Sequence, residues 1–216
     1  ERKRTGDRVP VSKFLALDTT GSYLTVIAAN GDAVRTVFEE NCAMQHSVRL
    51  MPAVEEALSA VGLAPEECDF FCAVTGPGSF TGIRIGIAAA KGLAAAAGKP
   101  TLGRTSLQVL AYNARGKALA AVPAGRGNYY VCGFEGDKSV SFPPACVGEE
   151  ELGLLAQTYP LYAHAPLPLP YTQADPAEGL LAAVRAAEEG DFGSLTAFYL
   201  RRSQAEEERL RRGGGA

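Results

Sequence analysis

The residues of this chain that could do chemistry concentrate in one loop. Val74-Thr75 is followed by Gly76-Pro77-Gly78-Ser79-Phe80-Thr81-Gly82-Ile83-Arg84-Ile85-Gly86. Gly76, Pro77 and Gly78 break the apolar run that precedes them, because glycine permits positive φ and proline donates no hydrogen bond. Ser79 or Thr81 can then cap a following helix. A helix N-terminus offers free N–H groups to a phosphate, and that signal is weak alone. The loop is not a Walker loop, which ends in Gly-Lys-Ser/Thr. It has one residue too many for the Gly-x-Gly-x-x-Gly fingerprint, and the Gly-x-Ser-x-Gly elbow is absent. A second polar segment, Asp18-Thr19-Thr20-Gly21-Ser22, ends an earlier apolar run. Read from its residues alone, Asp18 is a turn aspartate that bonds its own backbone.

Elsewhere the inventory is thin. A hydrolase needs a nucleophile, a base and an orienting group, or a metal. The two histidines, His46 and His164, stand in no His-x-x-x-His or His-Glu-x-x-His pattern, so no metal site is expected. His164 lies among prolines, and His46 reads as a cap or a satisfied polar group. Five scattered cysteines, Cys42, Cys68, Cys72, Cys132 and Cys146, read as reduced, mostly buried thiols of a cytoplasmic protein. Cys68-x3-Cys72 has no second pair to complete a zinc site.

The elements that must position these residues follow in order. Phe14–Leu17, Tyr23–Ala29 and Ala33–Glu39 are predicted strands, the last two joined by an Asn30-Gly31-Asp32 hairpin turn. A helix over 46–61 carries Leu50, Val54, Leu58 and Val61 as its apolar stripe, and Pro52 should bend its first turn. Phe70–Val74 is a buried strand, and 82–97 is a helix closed by Gly98-Lys99-Pro100. A short strand at 101–103 should lie parallel to the Phe70–Val74 strand, followed by a helix from Leu107 to about Arg115. Then come a strand at 119–122, a paired strand at 129–134, and a turn-rich, mobile stretch over 136–150. A helix at 149–157, a strand at 160–164, a connector holding Pro166, Pro168 and Pro170, and a helix at 177–189 opened by Asp175-Pro176 complete the pattern. Arg201, Arg202, Arg209, Arg211 and Arg212 form a local basic cluster near the end, the usual mark of a solvated face. A proline-rich ligand and a tRNA contact are the minority readings of connector and tail.

The 82–97 helix places Gly82, Gly86, Ala90, Ala94 and Gly98 four residues apart. A glycine inside a helix costs about 1 kcal/mol against alanine, so close approach of another backbone should offset it. That backbone belongs either to the same domain or to a partner's helix. The chain's 216 residues are 47% hydrophobic with a net charge of −3. That is ample for a core and gives no global field for nucleic acid. No run reaches the ~20 apolar residues of a membrane span, and Glu1-Arg2-Lys3-Arg4 lacks the apolar region of a secretory signal.

Gly76 to Gly86, followed by Lys91-Gly92-Leu93-Ala94, closely resembles the signature of the bacterial TsaB family. These are Gcp-like, peptidase M22-like proteins of tRNA threonylcarbamoyladenosine synthesis. The resemblance covers 14–135 and 197–206 well. It implies an α/β, actin-like ATPase (ribonuclease H-like) fold of two lobes with mixed sheets flanked by helices. The lobes fall at 12–116 and, reduced and carrying the C-terminal helix, at 117–212. Residues 1–11 are a flexible lead-in and 213–216 a disordered tail. The chain departs from the family pattern twice. Val48 stands where His-Ser-Glu is usual, and 123–130 lacks the aspartate of Asp-Ala-Arg-Arg.

By resemblance, Asp18, Thr19, Thr20, Gly76, Gly78 and Ser79 are a nucleotide-site remnant. The first two helices would pair with a TsaD-like catalytic subunit through Leu50, Val54, Leu58, Gly82, Ile83, Gly86, Ile87, Ala90 and Ala94. The implied role is a non-catalytic partner in making threonylcarbamoyladenosine at position 37 of tRNAs reading ANN codons. A TsaE-like ATPase joins, tRNA is met through the complex, and the chain alone forms a homodimer. No catalytic residue, resident metal, membrane contact or tightly bound cofactor is expected, and ATP or ADP at the partner interface stays open. On this reading Gly86→Leu should abolish association and leave the monomer folded. The alternative is a stand-alone metallopeptidase-like or actin-like ATP-hydrolysing enzyme.

Overall fold

A computed structural model describes residues 13–200. Ten strands form two five-stranded mixed sheets. In the first, β1 (Lys13–Asp18), β2 (Leu24–Asn30) and β3 (Ala33–Glu39) are an antiparallel meander. Gly31 takes positive φ at the β2–β3 turn. β4 (Phe70–Val74) and β5 (Thr101–Arg104) extend the sheet in parallel with β1, giving the order β3-β2-β1-β4-β5. Successive side chains point to opposite faces of a strand, so β1 divides its apolar residues between two cores. Leu15 and Leu17 meet α1 (His46–Ala60) and α2 (Phe80–Ala97). Phe14 and Ala16 meet Val109 of α3 (Ser106–Ala111) and Leu180 and Val184 of α5 (Pro176–Arg185).

The second sheet has the order β10-β9-β6-β7-β8. It comprises β6 (Ala118–Gly125), β7 (Asn128–Phe134), β8 (Val140–Gly148), β9 (Leu161–Ala163) and β10 (Thr172–Gln173). α3 packs on one of its faces, and α4 (Glu149–Ala156) covers the other through Leu152. Caps agree with the sequence. Ser79 accepts from the Gly82 N–H, Asp175 accepts from Ala177 and Glu178, and Gly98 closes α2 in the left-handed region.

Several expectations change. The stretch read as mobile contains β8, an edge strand whose Pro143-Pro144 falls where its register with β7 shifts. Proline donates nothing to a ladder and is tolerated at an edge or bulge. β10 was missed because two residues carry no periodicity. α3 ends at Ala111 and α5 at Arg185, each about a turn early. α5 also does not belong to the second lobe: its apolar stripe packs on the first sheet. The strap that follows it stays there too. Phe192 bridges Leu102, the Gly193 N–H donates to Thr101, and the Phe198 N–H donates to Thr75. The expected lead-in at 1–11, the tail at 213–216 and the arginine cluster from Arg201 lie outside the described residues.

α2 is, among the described residues, the one helix long and apolar enough to cross a membrane by length and composition. Its buried face lies against β4 and the first core.

Candidate functional site: a self-filled loop pair and an open helix face

The two loops singled out in the sequence do meet. Asp18, at the end of β1, is fully buried. Its Oδ1 accepts from the Thr20 N–H (2.8 Å) and hydroxyl (2.7 Å), and its Oδ2 accepts from the Tyr23 hydroxyl (3.0 Å). Burial pushes its carboxyl above the usual range, against the lowering effect of the Thr20 and Tyr23 bonds. Burial and the adjoining carboxylate likewise hold the Tyr23 phenol well above its ordinary value. The Thr20 carbonyl accepts from the Ser79 N–H (2.7 Å), and the Thr20 and Ser106 hydroxyls are 3.1 Å apart. The Thr19 hydroxyl donates to the Gly82 carbonyl at 2.7 Å.

These bonds explain the glycines. A Cβ on Gly82 would collide with the Thr19 carbonyl oxygen, and one on Gly78 with that of Thr20. On Gly86 it would stand 2.5 Å from the Thr19 hydroxyl. The backbone that settles on the small-residue ridge is therefore the chain's own β1–β2 loop. This corrects the assignment of Gly82 and Gly86 to a partner interface. The other seven, Leu50, Val54, Leu58, Ile83, Ile87, Ala90 and Ala94, are buried beneath the two helices. All nine are core, and Gly86→Leu should cost the fold rather than only an interaction.

The same geometry tests the nucleotide reading. Asp18, Thr19, Thr20, Gly76, Gly78 and Ser79 are brought together, and several of their polar groups bond within the loop pair. A phosphate loop needs unpaired N–H groups aimed at the ligand. Here the Ser79 N–H is taken by Thr20, the Gly82 N–H by the Ser79 hydroxyl and the Ile83 N–H by the Ser79 carbonyl. Those three N–H groups are therefore not open to a phosphate. A narrow cleft of ≈ 70 Å³ remains between the lobes, lined by Thr20, Tyr23, Pro77, Ser106, Pro123 and His164 among others.

The histidines and thiols are structural. His46 is buried with Nε2 2.8 Å from the Tyr23 carbonyl. The His164 ring stands edge-on to Tyr23, with centroids 4.8 Å apart. No cluster of three or more His, Cys, Asp or Glu that could hold a metal occurs among the described residues. All five thiols are free, and only Cys146 is exposed. Burial pushes Cys72 from 9.0 to about 12, and Cys68 and Cys132 to about 11. The thiolate is the nucleophile, so one fast-reacting thiol is expected with Ellman's reagent at pH 8, lost in Cys146→Ser. The other four should appear only on unfolding, and a second fast thiol would contradict the buried assignments. The unfolded thiols ionise first, so stability should fall as pH climbs above about 9.

What sequence reasoning missed faces outward. On and just before α1, Met44 is 94% exposed, Val48 71% and Met51 45%. Alongside, only a third of α2 is buried. Its Arg84, Ala88, Lys91, Gly92 and Ala95 are exposed, while Ile85, Ala89 and Leu93 are part-covered. The Arg84 guanidinium lies 3.8 Å over the Phe80 ring, and its Nε donates to the Tyr199 hydroxyl at 3.3 Å. The replacement of the usual glutamate by Val48 was the one available signal, since it puts an apolar residue on this face.

Comparison with known proteins places the chain among relatives. The family model described as "TsaD: tRNA N6-adenosine threonylcarbamoyltransferase" matches residues 33–141. The chain is 33% identical over 132 residues to the Escherichia coli "tRNA threonylcarbamoyladenosine biosynthesis protein TsaB", covering 59% of this chain and 57% of that one. It is 37% identical over 102 residues to the Bacillus subtilis protein of the same name, covering 47% and 44%. The chain thus spans about half the length of these curated relatives. With an uncharacterized Mycobacterium bovis protein it shares 32% identity over 207 residues, 92% of this chain and 96% of that one. A solved Pseudomonas aeruginosa structure, described as having similarity to peptidase YeaZ, superposes with a TM-score of 0.73 at 24% identity. It covers 88% of this chain and 100% of that one, a likeness that shows the fold.

Proposed function

The chain belongs to the TsaB family, and on that premise we propose that it is a non-catalytic subunit in tRNA threonylcarbamoyladenosine biosynthesis. In this reading it docks a TsaD-like catalytic subunit through the outer face of α1 and α2. A TsaE-like ATPase joins the pair, tRNA is met through the complex, and the setting is the cytoplasm. The observation that carries the reading is the apolar helix face left open beside an internally satisfied loop pair. Large exposed apolar patches on a folded chain are characteristic of association surfaces. When the partner is absent, the same face is covered by a second copy. On this reading the chain holds no tightly bound cofactor of its own.

Titration calorimetry of the full chain with the TsaD-like subunit tests this. Saturable binding is expected, with no ATP hydrolysis by the chain alone. ATP turnover by the isolated chain, or failure to bind that subunit, would overturn the proposal and favour a stand-alone enzyme.

A further inference from the structure

The open helix face carries a charge of its own. α2 contains Arg84 and Lys91 and no acidic residue. The two are seven residues apart, two turns and about 10.5 Å along one side of a helix. Between and beyond them the exposed residues are Ala88, Gly92 and Ala95, so the surface there is flat. Of the acids on neighbouring elements, Glu67 and Asp69 accept from the Ala64 and Lys13 N–H groups, while Glu40 and Glu66 are exposed. Glu56 of α1 pairs with Arg35 at 2.6 Å and Glu39 of β3 with Arg49 at 2.7 Å, leaving Glu55 as the exposed α1 acid without an ion-pair partner. α2 itself is therefore cationic on a chain whose net charge is −3.

Arg84 is also held in place. Stacking on Phe80 and donation to Tyr199 fix its side chain, and Phe80 and Tyr199 stack with centroids 4.9 Å apart. The Nε side of the fork is used, while the two terminal nitrogens have no protein partner among the described residues. A guanidinium fixed in this way loses little entropy on meeting a carboxylate.

We infer that the α2 face recognises a partner helix bearing two carboxylates about two turns apart, one for Arg84 and one for Lys91. This rests on the docking face proposed above and specifies the chemistry of what docks there. A second copy of this chain fits less well, because its α2 brings two cations and no acid. An anionic membrane would also attract cations beside an apolar helix, but a bilayer offers no fixed pair of carboxylates for a fixed guanidinium.

The test measures binding of the full chain to the TsaD-like subunit at low and physiological salt. Binding should weaken with salt, and Arg84→Glu with Lys91→Glu should weaken it at least about tenfold, mostly through the association rate. Lys91→Glu alone should show part of this, and its unengaged side chain makes misfolding no explanation. Tyr199→Phe, which frees the Arg84 Nε, should give a smaller loss, and Arg84→Lys should not restore full affinity. The outcomes separate the two readings. If binding is salt-insensitive and charge reversal harmless, while Met51→Glu with Ala88→Trp abolishes it, the face docks the subunit and the charge inference fails. If the wild-type chain does not bind the subunit at all, both fail. Binding instead to phosphatidylserine vesicles, lost on charge reversal, would replace the protein partner with a membrane.

Discussion

Gly82→Ala should destabilise the chain by about 3 kcal/mol or more, an overpacking cost at the upper end of its range. The added methyl would collide with the Thr19 carbonyl oxygen, a backbone atom held between β1 and the Thr20–Ser79 hydrogen bond. Neither side can yield without moving a strand end or the first turn of α2. Gly92→Ala is the internal comparison. It lies in the same helix with nothing within 4 Å of a built Cβ, so it should stabilise by about 0.5–1 kcal/mol through helix propensity. Gly86 distinguishes backbone from side-chain obstruction, because its obstacle is the Thr19 hydroxyl at 2.5 Å. Thr19→Ala should therefore partly rescue Gly86→Ala and leave Gly82→Ala unrelieved, a coupling that a double-mutant cycle reads directly. Urea midpoints for the set suffice. Equal midpoints for Gly82→Ala and Gly92→Ala would mean that the ridge is not filled by the Thr19 loop.

The glycines show where sequence reading works and where it stops. That a backbone must lie against the ridge followed from their spacing. That it is the chain's own did not, since Thr19 and Gly82 are 63 residues apart and nothing local ties them together. The inside and outside of α2 were equally hidden. Alanines and glycines occupy most of its faces, so periodicity gives no contrast between Ala90, buried, and Ala88, exposed. On α1 the apolar stripe was read correctly as Leu50, Val54 and Leu58, but a stripe that regular belongs to a helix's own core. The exposed apolar residues, Met44, Val48 and Met51, are those that break the pattern. The hairpin pairings and caps were legible because they depend on near neighbours, such as the Asn30-Gly31 turn or Ser79. The path of α5 was not, because an amphipathic stripe says that a helix packs without saying on which sheet.

Met51→Glu combined with Ala88→Trp should therefore abolish association and leave the fold intact, the reverse of the pattern for the buried stripe. Met51 lies on the outer side of α1, and Ala88 is the small exposed residue midway between Arg84 and Lys91. A carboxylate in the apolar patch and an indole on the flat face remove both features that a partner helix needs. Losing contacts of hot-spot size, about 2 kcal/mol each, weakens binding by two orders of magnitude or more. Neither change enters a core, so the thermal midpoint should move little. Leu50→Ala, by contrast, opens a cavity in the first core and should cost about 2–5 kcal/mol. Any binding it loses would follow from unfolding. Val48→Glu supplies the graded control. It restores the residue usual in the family signature and adds an acid to the first turn of α1, which has none, where the helix dipole favours it. Stability should be kept or slightly raised, and binding retained, because Val48 lies at the N-terminal rim of the face. Calorimetry against the TsaD-like subunit with parallel melting curves decides the matter. If the Met51–Ala88 variant binds like the wild type, the outer face of α1 and α2 is not where this protein meets its partner.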